Sequence, residues 1–205
     1  MKIHKYDNYN QYVEYQTQAN HKKQKNVWVH QTTIAAICHW YEKNIGEYNT
    51  VLCHGTRNGA EQGFFHRHTK RYIEVLGTEI SDTATNYPET IQWDFTKQKP
   101  EWIEYWDIVY SNSFDHSPTP WQTMQTWRDQ LSPNGLLVID HTVWNEETNV
   151  KPNKVDCLDI SFEELEKMFV HAGMRIETKK RFNMNSDHMK NICESWFYFA
   201  RRVDG

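Results

Sequence analysis

The sequence has few of the residues on which small stapled proteins and membrane proteins depend. It has four cysteines in 205 residues and no Cys-x-x-Cys pair, so zinc-ribbon and thioredoxin-like sites have no support. No apolar run approaches the roughly 20 residues of a membrane span, and the first ten residues lack the apolar core of a signal peptide. We therefore expect a cytoplasmic protein whose thiols stay reduced and serve as small apolar side chains, namely Cys38, Cys53, Cys157 and Cys193.

Basic charge is not in excess either. The chain carries 23 lysines and arginines against 27 aspartates and glutamates, which gives a formal net charge of −4. This balance disfavours a protein that binds duplex nucleic acid through bulk electrostatics, and no membrane partner is expected. A chain of 205 residues suffices for a single domain with a real core, and its nine Trp and eleven Tyr supply much of the apolar area.

Two regions of the chain differ in pattern. Residues 1–26 are polar with little periodicity, and the sequence leaves open whether they form a mobile arm or a lid. Residues 27–202 form the predicted core, in which helices at 27–44, 59–69, 119–131 and 161–172 alternate with strands. Trp121 and Trp127 are predicted to pack the third of these helices onto the sheet. The strands are predicted at 50–53, 74–80, 90–95, 107–113, 136–140, 174–182 and 195–202, with a turn at 133–135.

This alternation predicts an α/β fold, a three-layer sandwich around a mostly parallel, doubly wound, Rossmann-like sheet. The last two strands have no helix between them, so they should pair antiparallel at one edge. In such sheets a ligand binds beyond the carboxyl ends of the strands, where the strand order reverses. Function is therefore expected near residues 53–59, 79, 94, 111–116 and 140–141.

The loop after the first predicted core strand and two acidic residues after the next strands suggest a nucleoside site. Gly55 and Gly59 allow a sharp turn into a helix whose free N–H groups face the loop. Glu79 ends the second strand, where a carboxylate can accept both hydroxyls of a ribose. Asp94 closes the third strand between Trp93 and Phe95 and suits the exocyclic amine of an adenine.

With these features the sequence resembles the class I S-adenosylmethionine-dependent methyltransferases over roughly residues 27 to 202. Residues 51–59 (VLCHGTRNG) look like the first motif of the family, and residues 106–112 (WDIVYSN) are similar to its fourth-strand motif. Residues 131–139 (LSPNGLLVI) match its turn into strand five, the most specific stretch. The resemblance implies seven strands, the last antiparallel, and S-adenosylmethionine as cofactor. It implies cofactor contacts by Gly55, Thr56, Arg57, Gly59, Glu79, Ile80, Asp94, Phe95, Ser111 and Asn112.

The sequence departs from the family pattern at two positions. Cys53 stands where the first strand usually ends in an acid, and Arg57 replaces the middle glycine of the loop. Arg57 either reaches the methionyl carboxylate of the cofactor or folds outward into solvent. Residues 57–61 are similar to a subgroup of the family that has an arginine here, followed by gly-x-glu.

Methyl transfer requires alignment of donor and acceptor, and a base only where the acceptor is protonated. The candidates for catalysis are Asp115, His116 and His141, although both histidines also suit a purely structural role at strand ends. Asp115, Asp140 and His141 could converge on a divalent metal ion, as in the metal-dependent catechol-type methyltransferases. The aspartate–asparagine pair of those enzymes is absent after strand five, so no metal is expected.

The predicted function is methyl transfer from S-adenosylmethionine to an acceptor that is a small molecule. The polar segment 1–26 and residues 142–158 should flank the acceptor, since both lie outside the sheet core. The alternatives are a non-catalytic binding module that keeps the methyltransferase fold, and a nicotinamide or nucleotide-sugar enzyme. The second alternative is weaker because the loop lacks the third glycine of the dinucleotide fingerprint.

Overall fold

A computed structural model describes residues 1–143, 152–181 and 194–203. Its five α-helices are α1 (Tyr9–Lys23), α2 (Gln31–Asn44), α3 (Ala60–His68), α4 (Pro120–Gln130) and α5 (Phe162–His171). Its strands are β1 (Lys2–Ile3), β2 (Thr50–His54), β3 (Glu74–Glu79), β4 (Thr90–Gln92), β5 (Trp106–Ser111), β6 (Leu131–Val143), β7 (Leu158–Asp159), β8 (Met174–Arg181) and β9 (Glu194–Arg202). Short 3₁₀ turns lie at Asp82–Asn86, Pro100–Trp102 and Phe114–His116.

Seven of the strands form one sheet in the order β4-β3-β2-β5-β6-β9-β8. The pairs among β2 to β6 are parallel, and β9 runs antiparallel to both β6 and β8. The predicted mostly parallel seven-stranded sheet with an antiparallel last strand is therefore confirmed. The last strand inserts between β6 and β8, which leaves β8 at the edge.

Helices cover both faces of this sheet, and each face has its own apolar core. On one face α2 and α3 pack through side chains such as Ile34, Tyr41 and Phe65. On the other face α4 and α5 contribute Trp127 and Phe169. The central strands β2 and β5 are almost completely buried between the two helix layers, as expected for the middle of a mostly parallel sheet. The three-layer architecture is thus confirmed.

Two local predictions are wrong. Residues 133–135 do not separate a helix from a strand, because β6 already begins at Leu131 and pairs there with Trp106. The next pair is Ile108 with Leu136, so the Pro-Asn-Gly segment bulges out within a strand. Trp121 does not pack onto the sheet, since 44% of it is exposed and its ring contacts His171 edge-on.

Helix α1 within residues 1–26 was not predicted. Its buried residues are Tyr12, Gln16 and Asn20, spaced four apart, and two of them are amides. A search for apolar periodicity misses such a face. The helix lies across the carboxyl ends of β3 and β4, where Asn20 accepts a hydrogen bond from Thr83 (2.8 Å) and Tyr9 donates one to Asp94 (2.8 Å).

The strand order reverses between β2 and β5. The chain runs from β2 outward through β3 to β4, then returns to form β5 on the other side of β2. Helices leave the two strands on opposite faces, so the loops after β2 and β5 border a crevice. Every predicted site residue lies near the carboxyl end of one of the strands β2 to β6 or in the segment that follows it.

Among the described helices none is both long and apolar enough to cross a bilayer. Cys38, Cys53 and Cys157 are buried and carry free thiols, as expected for small apolar side chains. Cys193 lies outside the described residues.

Trp127 and Trp121 form a matched pair on α4 for a test of the packing. Trp127 is fully buried, its ring stacks on His54 (4.9 Å between centroids), and its Nε1 donates to the carbonyl of Phe95 (3.0 Å). We expect Trp127→Ala to lower the free energy of unfolding by about 3–5 kcal/mol. We expect Trp121→Ala to change it by about 0.5 kcal/mol or less, because its ring is half-exposed. Urea unfolding followed by circular dichroism measures both, and equal losses would contradict this assignment of the core.

Candidate active site

The loop after β2 approaches the loop after β5 too closely for a side chain at Gly55. A Cβ atom there would lie 2.7 Å from Cβ and Oγ of Ser113, and the φ angle of Gly55 is +73°. Both facts require glycine. The N–H groups of Gly55 and Thr56 donate to the carbonyl of Thr78 at 2.9 and 3.0 Å, which ties the loop to the end of β3. Gly59, with φ +72°, then begins α3 as its N-cap.

Arg57 adopts the left-handed backbone conformation that a glycine takes freely. Its φ angle is +52°, which costs a residue with a side chain roughly 1–2 kcal/mol. Its guanidinium is half-buried, and Nη1 donates to the carbonyl of Asn26 at 3.3 Å. The chain therefore adopts a glycine-like backbone conformation at this position and places a cation at the wall of the crevice.

Glu79 ends β3 at the floor of the crevice, beside Ile80. One carboxylate oxygen accepts a hydrogen bond from the Ser81 N–H at 2.9 Å. Burial raises the pKa of Glu79, while the Ser81 N–H, His116 and Arg57 act in the opposite direction.

Asp94 is also buried, but both of its oxygens are engaged within the chain. Oδ1 accepts from the N–H (2.9 Å) and the hydroxyl (2.8 Å) of Thr96. Oδ2 accepts from the hydroxyl of Tyr9 on α1. A carboxylate has lone pairs for a further donor, so a contact with adenine requires Tyr9 to share this oxygen or to move. The predicted role of Asp94 stays a prediction.

Two cavities meet above the loop. A small one of about 50 Å³ is bounded by Glu79, Ile80 and Phe95 below and by Tyr12 and Gln16 of α1 above. A larger one of about 300 Å³ extends towards β6. The walls that the two cavities share are formed by Lys23, Gly55, Arg57, Ser113 and His116.

Two buried carboxylates line the larger cavity with an oxygen that has no hydrogen-bond partner among the described residues. They are Oε2 of Glu61 on α3 and Oδ2 of Asp140 on β6, in side chains only 5% and 6% exposed. Their other oxygens accept from Asn112 (3.3 Å) and Ser195 (2.7 Å) respectively. Burial raises the pKa of each to about 7. The cavity thus offers unsatisfied acceptors to a ligand.

The structure brings all three candidates for catalysis to the larger cavity. Asp115 and His116 lie on the 3₁₀ turn after β5 and are half-buried. His141 is buried, and its Nε2–H donates to the carbonyl of Ile160 at 3.1 Å. Burial lowers the pKa of His141 to about 4, so its ring is neutral near pH 7 and a weak base.

The remaining predicted cofactor residues divide into two groups. Thr56 and Asn112 line the larger cavity, with Asn112 oriented by Glu61. Ser111 is fully buried and lines neither cavity, because its hydroxyl donates to the carbonyl of His54 at 3.0 Å. Ser111 thereby fixes the end of β5 to the end of β2.

The segments predicted to flank the acceptor contribute to the walls of both cavities. Lys23 and Asn26 come from the first segment, and Thr142 and Asp156 come from the second. Trp28 lines the larger cavity, whereas Trp40 and Trp196 pack against the two cores. Trp144 and the rest of residues 144–151 lie outside the described residues.

The sequence analysis missed three residues of the site. Glu61 is the acid of the gly-x-glu pattern, and no role was predicted for it. An acidic residue on the buried face of a helix is nevertheless a signal from which a functional role can be predicted. Gln16 and Asp156 face His116 from α1 and from the loop before β7. No local pattern marks either residue, because each is 40 or more residues away from His116 in the chain.

Glu61 gives a test of this electrostatic description. Its raised pKa means that the folded chain binds a proton more tightly than the unfolded chain, whose glutamate titrates near 4.5. Its stabilising contribution is therefore full below about pH 4.5 and is lost as the pH rises through about 7. We expect Glu61→Gln to be more stable than the wild type at pH 8 by on the order of 3 kcal/mol, and to match it at pH 4.5.

Chemical unfolding at the two pH values measures this difference without ligand. Glu163→Gln is the matched control, because Glu163 is an exposed residue that pairs with Lys167 on α5. A gain at pH 8 in the control, or its absence in Glu61→Gln, would refute the description of Glu61.

No protein-family model and no curated protein matches the sequence. Solved structures do match along nearly the whole chain. The 1,6-didemethyltoxoflavin N1-methyltransferase of Burkholderia thailandensis, solved with 1,6-didemethyltoxoflavin and S-adenosylhomocysteine, is 13% identical over 100% of both chains, with a TM-score of 0.71. The geranyl diphosphate C-methyltransferase of Streptomyces coelicolor is 11% identical, covers 94% of this chain and 98% of its own, and has a TM-score of 0.67.

An S-adenosylmethionine-dependent methyltransferase of Clostridium acetobutylicum is 10% identical, with a TM-score of 0.64 over 91% of this chain and 98% of its own. At such identities the likeness concerns the fold, and it agrees with the motifs in the sequence and with the strand order. The chain has the fold of the class I S-adenosylmethionine-dependent methyltransferases.

Proposed function

We propose that this protein transfers a methyl group from S-adenosylmethionine to a small-molecule acceptor. The observation that carries the proposal is the pair of cavities that meet over Gly55 and Arg57 at the strand-order reversal. The toxoflavin-precursor and geranyl diphosphate enzymes, which share the fold, act on small molecules by their names. An enclosed cavity of about 300 Å³ suits an acceptor of that size.

The charges beside the loop fit the amino-acid end of the cofactor. Arg57 lies near enough to Glu61 to lower the pKa of that carboxyl, and Glu61 keeps one buried oxygen without a partner. A cation and an acceptor side by side match a group that carries both a carboxylate and an ammonium. Arg57 would hold the carboxylate and Glu61 the ammonium.

The nucleoside end would lie in the small cavity. Glu79 offers a carboxylate to the ribose hydroxyls, and Ile80 and Phe95 offer apolar surface to the adenine. At about 50 Å³ this cavity is well below the roughly 300–1,000 Å³ of typical ligand pockets. Helix α1 forms its upper wall, so entry of the nucleoside requires α1 to move outward.

When bound, the cofactor supplies an electrophilic methyl group on a sulfonium. The protein must then align the acceptor with that methyl and exclude water. Asp115, His116 and Asp140 line the acceptor cavity and can orient polar groups of the acceptor or accept a proton from it. His141 contributes shape rather than basicity, because its Nε2–H is engaged and its pKa is lowered.

Ligand binding tests the proposal directly. We expect S-adenosylhomocysteine to bind the wild type in calorimetry and raise its melting temperature, and NAD to do neither. A non-catalytic module that still binds the cofactor would show this binding, but it would transfer no methyl group to any acceptor. Absence of binding at millimolar concentration would refute the proposed function.

Glu79 is the residue for the ribose contact. We expect Glu79→Ala to weaken S-adenosylhomocysteine by about 1–3 kcal/mol, or roughly 5- to 150-fold, because two ribose hydroxyls lose their acceptor. The matched control is Glu74→Ala at the exposed start of the same strand, where the carboxylate accepts from Tyr105. Calorimetry measures both, and an unchanged affinity in a folded Glu79→Ala variant would exclude Glu79 from the site.

Substitution of Arg57 tests binding of the amino-acid end of the cofactor separately from binding of its nucleoside end. We expect Arg57→Gly to weaken S-adenosylhomocysteine by about 1.5–3 kcal/mol and to leave methylthioadenosine unchanged, because that ligand lacks the carboxylate. The same change relieves the left-handed backbone and should raise the melting temperature. Arg57→Lys keeps the charge without the bidentate geometry. Its affinity for S-adenosylhomocysteine should lie between those of the wild type and of Arg57→Gly. Equal losses for the two ligands would contradict the carboxylate contact.

A further inference from the structure

Three metal-ligating side chains converge at the side of the larger cavity, where the 3₁₀ turn after β5 meets the loop before β7. They are Asp115, His116 and Asp156, and their ligand atoms all lie within 4.8 Å of one another. Nε2 of His116 is 3.8 Å from Oδ1 of Asp115 and 3.5 Å from Oδ1 of Asp156. Ligands about 2.0–2.2 Å from a tetrahedral metal are about 3.4 Å apart, so these side chains need to move only slightly to hold one.

Gln16 fixes which nitrogen of His116 faces the two carboxylates. The amide nitrogen of Gln16 donates to the carbonyl of Val155 at 2.7 Å, so its oxygen is the atom 2.8 Å from Nδ1 of His116. An amide oxygen only accepts, and Nδ1 therefore carries a hydrogen. In the neutral ring the lone pair of Nε2 points at two carboxylate oxygens, which is unfavourable unless a proton or a metal ion lies between them.

The same arrangement is typical of metal-bound histidines, which usually donate their second nitrogen to a carbonyl or carboxylate. Asp156 is oriented as well, since its Oδ2 accepts from the side-chain amide of Asn153 at 3.2 Å. Two of the three possible ligands are thus held by an outer layer of hydrogen bonds before any ion arrives.

Asp140 provides an independent observation. It lines the same cavity, is 6% exposed, and its Oδ2 has no partner among the described residues. A buried carboxylate oxygen without a partner is costly, and a nearby cation removes that cost. The described wall of the cavity carries four acids, Glu61, Asp115, Asp140 and Asp156, against two bases, Lys23 and Arg57.

We propose that Asp115, His116 and Asp156 bind a divalent first-row transition metal ion such as Mn²⁺ or Zn²⁺. One imidazole and two carboxylates form a mixed nitrogen and oxygen set, which favours these ions over Mg²⁺ and Ca²⁺ with their all-oxygen shells. Three protein ligands leave at least one position open towards the cavity. This proposal departs from the expectation that no metal binds, because Asp156 and Gln16 join His116 only through tertiary contacts.

The test uses the full chain without an affinity tag, after treatment with a chelator and dialysis at pH 7.5. Mn²⁺ is titrated and followed by the loss of the free-ion electron paramagnetic resonance signal, and Zn²⁺ is titrated by calorimetry. We expect one site per chain, and a roughly 10- to 100-fold loss of affinity in both Asp156→Asn and Gln16→Leu. Asp159→Asn is the matched control, because Asp159 is half-exposed, pairs with Lys2 and lies outside the cavity.

Each other outcome overturns the assignment. Absence of Mn²⁺ and Zn²⁺ binding at millimolar concentration would show that Asp115, His116 and Asp156 form a polar cluster without a metal. Zn²⁺ binding that survives both substitutions belongs to other histidines, of which the chain has ten besides His116. Circular dichroism shows whether the variants fold, and S-adenosylhomocysteine binding, measured separately, shows whether the cofactor site remains. Failure of the metal site is thereby distinct from failure of the proposed function.

Discussion

The close approach of two loops, at the point where Gly55 meets Ser113, is the constraint on which the rest of the crevice depends. No atom beyond hydrogen fits on Gly55, so the ends of β2 and β5 can lie in contact at the strand-order reversal. Ser111 and Ser113 reinforce that contact with hydrogen bonds to the carbonyls of His54 and Gly55. Glu79 on one side and Asp115 on the other are placed relative to this contact. The two cavities share a wall at Gly55 and Ser113, where these loops meet.

The second property of the site is its unbalanced charge. Glu61 and Asp140 keep buried oxygens that nothing in the described residues satisfies, and Arg57 holds a backbone conformation that costs stability. These features destabilise the chain without ligands, and each lies on a wall of the same crevice. A protein tolerates such costs where ligands remove them. The strained residue and the two unsatisfied carboxylates therefore all lie on the wall of the larger cavity.

The sequence predicted most of the sheet and the grouping of several polar residues along one edge of it. Parallel strands end at one edge, so Gly55, Glu79 and Asp94 could be assigned to neighbouring positions from strand spacing and motif alone. The bulge at 133–135 could not, because proline and glycine signal a turn whether it joins two elements or interrupts one strand. Asp156 and Gln16 could not either, since their roles arise from tertiary contact with His116.

The helical form of α1 depends on its contacts with the rest of the protein. Its buried face is one tyrosine and two amides, and a 15-residue segment with so little apolar patterning is marginal as an isolated helix. Its helical form thus depends on partners supplied by β3, β4 and the loop before β7, such as Thr83, Asp94 and Val155. A rigid lid would swing on a hinge and stay folded when open. Released from these partners, α1 would exchange helix for coil, so the entropy of the unwound segment would favour release and warming would shift the balance towards it.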